Sequence, residues 1–268
     1  MLGIREKVIY CGENYKEVDI YPHNPPVRKK GTRSKKKKES LLSQKNLNNK
    51  NAKRKLNQLI ETNFSNEDYF LTLTYNDKFL PSNLKDAEKE LRNFIRRLKR
   101  RYKKADINLK YVYVTAFTEK NNNDLQNDND EIEIVRVHHH LVISGGLDRD
   151  EIEETWKKKN DSMGYANTKK LQPDINKGLS DLVGYMINQP SNRRRWNCSQ
   201  NLERPVSRTN DYKYTRRKIR SIVGYKKDLS YWEEQYPGFY IADKEQGYEE
   251  VYNELTGWSI YLKLRKKE

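Results

Sequence analysis

The chain has 268 residues, and its 54 Lys and Arg outweigh 38 Asp and Glu to give a formal net charge of +16. Such an excess predicts a polyanionic partner, most simply nucleic acid. The 34% hydrophobic content is low, but 19 Tyr, 4 Trp and 6 Phe supply enough burial to exclude wholesale disorder. No apolar run is long enough to cross a bilayer, so no membrane role is expected. Cys11 and Cys198 make neither a disulfide framework nor a zinc spacing.

In chain order, Lys7–Tyr10 and Glu17–Tyr21 read as short strands and are followed by the break Pro22-His23-Asn24-Pro25-Pro26. A basic tract then runs from Arg28 and includes Lys35, Lys36, Lys37 and Lys38. Its charges repel one another, so it is expected to be extended when free and to contact phosphates. A helix over about 43–61 has Leu47, Ala52, Leu56, Leu59 and Ile60 roughly along one side. Residues 69–75 read as a strand with Leu71 and Leu73 on one face and Thr72 and Thr74 on the other. A helix over about 84–102 carries the apolar stripe Ala87, Leu91, Phe94, Ile95, Leu98 and Tyr102.

A second strand is expected over 109–119 and a third over 133–144. The polar insert 121–130 between them makes an antiparallel hairpin with a long loop. After Gly145-Gly146 a helix ends near Lys158, with Ile152 and Trp156 as anchors. A short strand at 165–170 and a helix from about Asp174 to Gln189 follow. Arg193, Arg194, Arg195 and Trp196 then combine cations with an indole. Beyond Pro205 two further helices, at 214–225 and 229–236, precede short strands near 239–242, 248–252 and 258–264.

The third strand contains Val137-His138-His139-His140-Leu141-Val142-Ile143, three of the chain's four histidines. Side chains alternate along a strand, so His138 and His140 share a face and could hold one metal ion, while His139, Leu141 and Ile143 turn into the core. The order β-α-β-β-α-β-α over 69–189 predicts an α+β fold. In it a central antiparallel sheet carries helices on one face, as a split β-α-β sandwich, and the other face stays open. On the second strand Val112 and Val114 suit the covered face; Tyr111, Tyr113, Thr115, Phe117 and Glu119 suit the open one. Glu119 is thereby the candidate third metal ligand, with Glu133 as the fallback.

The helix near 179–188 has Leu179, Leu182, Val183 and Met186 as its apolar stripe, and Tyr185 lies about 120° from the centre of that stripe. With Thr72-Leu73-Thr74 on a first strand, His138-His139-His140 on a central strand and Tyr185 on a later helix, the chain resembles the HUH endonucleases. In particular it is similar to the rolling-circle replication initiators (Rep proteins) of bacterial plasmids and phages. The segment Arg195–Pro205 and the Lys-rich arm are similar to parts of such proteins. The resemblance implies that His138 and His140 hold Mg²⁺ or Mn²⁺ and that Tyr185 attacks a phosphodiester. The expected products are a 5′-phosphotyrosine and a free 3′-OH.

Single-stranded origin DNA is the implied substrate, bound through Thr72, Thr74, Arg193, Arg194, Arg195, Trp196 and the Lys35–Lys38 tract. A host helicase and DNA polymerase are the implied partners, and the bacterial cytoplasm the implied location. The chain departs from the pattern twice. Ala116 stands where relatives carry an acid, and Asn188 stands three residues after Tyr185 where they carry Lys. The expected division is a basic arm and helix (1–66), a catalytic domain (67–205) and a C-terminal extension (206–268). A relaxase or single-strand transposase, or a non-catalytic binder of single-stranded DNA or RNA, are the alternative readings.

Overall fold

In the computed structural model the described residues are 3–23, 42–119, 134–187, 195–223, 229–243 and 245–267. The elements in order begin with β1 (Gly3–Cys11), β2 (Tyr15–His23), α1 (Leu42–Asn63), β3 (Tyr69–Thr74), α2 (Leu84–Lys104), β4 (Tyr111–Glu119) and β5 (Ile134–Ile143). Next come α3 (Arg149–Glu153), β6 (Lys157–Lys158), β7 (Asp161–Ser162), β8 (Ala166–Lys170), α4 (Ser180–Ile187) and β9 (Asn197–Cys198). The chain ends with β10 (Val206–Asn210), α5 (Arg216–Val223), α6 (Ser230–Gln235), β11 (Phe239–Ile241), β12 (Tyr248–Asn253) and β13 (Gly257–Lys266).

Two compact units result. The first combines Met1–Thr62, Asp174–Gly178 and Glu203–Glu268; the second combines Asn63–Pro173 and Leu179–Leu202. The expected division into an amino-terminal arm and a separate carboxy-terminal extension is therefore corrected. Strand β2 lies between β1 and β13 in an antiparallel sheet of order β10-β1-β2-β13-β11, with β12 also paired to β13. The two chain ends complete one sheet, and neither has a full set of backbone partners alone. Ile4, Val18, Ile20, Ile260, Leu262 and Leu264 form its core with Ile219 and Val223 of α5 and Trp232 of α6. Helix α1 buries Leu56, Leu59 and Ile60, and its Arg54 donates to Glu17 and, through two nitrogens, to Asp19.

The second unit is a five-stranded antiparallel sheet of order β8-β3-β5-β4-β9. Residues directly opposite in an antiparallel pair share a face. One face carries Tyr69, Leu71, Leu73, Leu141, Ile143 and Tyr113, which pack with Leu91, Phe94, Leu98 and Tyr102 of α2 and with Ile152 and Trp156. Asn83 caps α2 by accepting from the Asp86 amide. The order β3-α2-β4-β5 and the hairpin pairing of β4 with β5 are as expected.

Three expectations need correction here. Tyr113 lies opposite Leu141 and Thr115 opposite His139, so Tyr111, Tyr113, Thr115 and Phe117 face α2, while Val112, Val114 and Ala116 share the face of His138 and His140. That second face is not open. Val112, Val114, Ala116 and Val142 are buried, and α4 lies against it through Tyr185. Helices therefore occupy both faces, and hydrophobic content along β4 could not say which face was which. The third correction concerns helix lengths. The 148–158 helix stops at Glu153, after which Lys157–Lys158 pairs with Asp161–Ser162 around a turn with Lys159 at φ 56°. The expected start of α4 at Asp174 is displaced to Ser180. The Asp174 carboxylate accepts from the amides of Asn176 and Lys177, and Gly178 takes φ 58°, which together close a turn instead.

Candidate active site

Strand β5 presents its three histidines as the alternation requires. The His139 ring is fully buried on the α2 face. Its Nε2 is 2.9 Å from the Tyr75 hydroxyl and its Nδ1 is 2.9 Å from the Thr115 hydroxyl. A neutral ring with one donor and one acceptor nitrogen satisfies both contacts. Burial, with His138 and His140 adding repulsion, pushes its pKa down to about 3. Trp156 packs edge-on to it and donates from Nε1 to the Thr74 carbonyl at 2.8 Å.

On the other face the His138 and His140 rings lie 4.8 Å apart, nearly perpendicular. Their cross-strand partners are Thr74 and Thr72 on one side and Ala116 and Val114 on the other. The Thr72 hydroxyl contacts His140 Nδ1 at 3.3 Å, and His140 Nε2 is buried with no hydrogen-bond partner among the described residues. Burial followed by the charge of His138 lowers the His140 pKa to about 4, and burial lowers that of His138. Both rings are thus neutral near pH 7, the form in which imidazole binds a cation. The arrangement suits a divalent metal: one hydroxyl engages Nδ1, which leaves Nε2 as the available ligand atom, and a second imidazole stands beside it.

Tyr185 of α4 completes the group. Its ring centroid is 4.8 Å from that of His140 and 6.3 Å from that of Phe70, yet the residue is 52% exposed. The apolar side of α4 explains this position, because Val183 and Met186 are buried and leave Tyr185 at the flank. Phe70 stacks on His140 at 5.6 Å with the planes 15° apart. Sequence reading passed over Phe70, although it is two residues before Thr72 on the same strand and so shares its face. It also passed over Tyr75 and Thr115, which hold His139.

The fold brings Thr72, Thr74, His138, His140 and Tyr185 together on one face. The register shifts between Thr118 and Glu119, which sets Glu119 across from Ile134. The Glu119 carboxylate, Glu133, Asn188, Arg193, Arg194 and Lys35–Lys38 lie outside the described residues. Arg195 and Trp196 lead into β9, which pairs with β4 at the sheet edge away from β8. Among the described residues no group of three or more His, Cys, Asp or Glu converges as a metal cluster. No helix among them is long and apolar enough to cross a membrane.

Residues 68–190, which contain all of this geometry, match the family model of the ORF2-type replication-associated proteins. Neither the curated proteins nor the solved structures contain a match to the chain.

Proposed function

From the match of residues 68–190 to the family of ORF2-type replication-associated proteins, we propose that the chain initiates rolling-circle replication by nicking single-stranded origin DNA. The observation that carries this reading is the meeting of an exposed phenol with two neutral imidazoles on one sheet face. In the proposed reaction the Tyr185 oxygen attacks the scissile phosphorus. A phosphorus–oxygen bond to Tyr185 forms as the bond to the 3′ oxygen breaks. The phenol loses its proton to solvent, and the departing oxygen gains one to become a 3′-OH that a host polymerase extends. A host helicase would open the duplex ahead. The phosphotyrosine retains the bond energy for later rejoining.

His138 and His140, with a carboxylate such as Glu119, would hold Mg²⁺ or Mn²⁺. When bound, such a cation polarises a non-bridging phosphate oxygen and lowers the cost of added negative charge. Thr72 orients His140. Phe70 fixes the planes of His140 and Tyr185 relative to one another, so the nucleophile is positioned before substrate arrives. Thr74, Arg195 and Trp196 would meet the strand, with the indole available for stacking.

The test is to incubate the full chain with Mn²⁺ and a pool of random-sequence single-stranded oligonucleotides, then isolate any DNA that survives denaturation on the protein. An adduct carried at Tyr185, with a free 3′-OH on the released fragment, is the expected result. Oligonucleotide binding with no adduct over a range of Mn²⁺ concentrations would overturn the nickase and leave a binding module. Ala116 opposite His138 gives that outcome its specific structural ground, because a small apolar side chain stands where an acid would complete the ligand set.

A further inference from the structure

The first unit carries a group of side chains that the proposed nicking chemistry does not use. Helix α5 begins Arg216-Arg217-Lys218, with Arg220 one turn after Arg216. Nε and Nη2 of Arg216 are buried and lack a hydrogen-bond partner among the described residues. A guanidinium edge left this way is costly, because it loses water and gains no acceptor. Arg216 and Arg220 line a cavity of about 100 Å³ together with Tyr252, Glu254, Leu255 and Trp258 of the β12–β13 hairpin.

That hairpin is shaped for contact. Tyr252 and Trp258 are direct cross-strand partners, with ring centroids 4.9 Å apart and planes at 52°. Tyr252 is 57% exposed, and Leu255 at the tip is 90% exposed. The tip is held rigid, since the Asn253 side-chain oxygen accepts from the amides of Leu255 and Thr256 and Gly257 takes φ 98°. Large apolar groups kept in water on a well-ordered turn, beside the open guanidinium edge of Arg216, have the composition of a site that takes an anion attached to a flat ring.

We propose that this corner is a second contact for single-stranded DNA, separate from the face that carries His138 and His140. Arg216 and Arg220 take one phosphate, the planar guanidinium edge of Arg216 offering two parallel donors to it. Tyr252, backed by Trp258, carries the adjoining unpaired base. Glu254 also lines the cavity and opposes an anion there. Its carboxylate can instead accept from an exocyclic base amine, which favours a nucleotide over a bare phosphate. The contact would hold the chain on a strand irrespective of whether Tyr185 reacts.

The experiment measures binding of the full chain to a fluorescent thymidine oligonucleotide by anisotropy across a salt series, with no divalent metal present. Arg216→Gln combined with Arg220→Gln should weaken binding and flatten the plot of log affinity against log salt by about 0.7, the loss of one single-strand phosphate contact. Tyr252→Ala, at an exposed position, should weaken binding about fivefold or more with the salt slope unchanged. Tyr185→Phe should leave both quantities as in the parent, so a failure of the nicking reading is distinguishable from a failure of this one. Folded variants that bind with parental affinity and slope would overturn the proposal. So would a duplex of equal length that competes as well as the single strand, since a stacked base pair cannot reach the Tyr252 ring.

Discussion

The Tyr185 ring rests 4.8 Å from the ring of His140, inclined at 62° to it, although the two residues lie on different elements. Tyr185 reaches this position while remaining half in solvent, whereas His140 is 1% exposed. The phenol is therefore seated by its ring and left reactive at its edge. Removing only the hydroxyl should not disturb the packing. Tyr185→Phe is expected to unfold within about 0.5 kcal/mol of the parent, the range of surface substitutions, and to form no covalent DNA adduct. Matched thermal melts and a denaturing gel check both halves.

The two proposed ligand histidines should separate by stability. His140 contacts Phe70, Tyr185 and Thr72, while His138 is half-buried. His140→Ala is expected to cost about 2 kcal/mol or more through the cavity and the unpaired groups it leaves, and His138→Ala under about 1 kcal/mol. Both should abolish the rise in melting temperature that Mn²⁺ gives the parent, which at a hundredfold excess over Kd corresponds to about 2.7 kcal/mol. A rise retained in both variants would rule out this pair as the ligands.

The pH dependence of stability follows from His139. Its folded pKa of about 3 lies below the ordinary 6.5 because the ring is buried. Above pH 6.5 the ring is neutral in both folded and unfolded chains. As pH falls below that value the unfolded chain binds a proton that the folded chain refuses, so stability is lost between about 6.5 and 3. The loss approaches about 1.4 kcal/mol per pH unit for this one group, and His140 adds a contribution in the same direction. Denaturant melts of the metal-free protein from pH 7 to pH 4 should show the fall, and His139→Gln should show a shallower one.

Gly164 offers a test of the site's backbone. It sits at φ 152°, and a Cβ there would meet the Thr74 carbonyl at 2.3 Å. Thr74 is in turn the cross-strand partner of His138. Gly164→Ala is expected to destabilise by about 1–3 kcal/mol and to weaken Mn²⁺ binding, because the strand must shift. Denaturant melts and a metal titration measure the two effects.

Much of this was legible before any coordinates. The alternation of Leu71 and Leu73 against Thr72 and Thr74, the stripe along α2, and the opposed directions of His139 and its two neighbours follow from period alone. The position of Tyr185 off the apolar stripe of its helix was visible in the same way. The face presented by β4 was not. Period two relates residues within one strand, but it cannot say which set a neighbouring strand lifts to the same side. Tyr113 and Val114 are both apolar enough for either face, and both faces are covered.

What the sequence determined by itself was the kind of element at each place and the chemistry each face could offer: an imidazole pair, a phenol, and an excess of positive charge. Tertiary structure alone decided that α4 seats its phenol against His140, that Phe70 stacks beneath them, and that strands from the two chain ends share a sheet. The physical reason is that backbone hydrogen bonds between strands carry no record of side-chain identity. Partner and register are chosen by the packing of the whole core, which no local window contains.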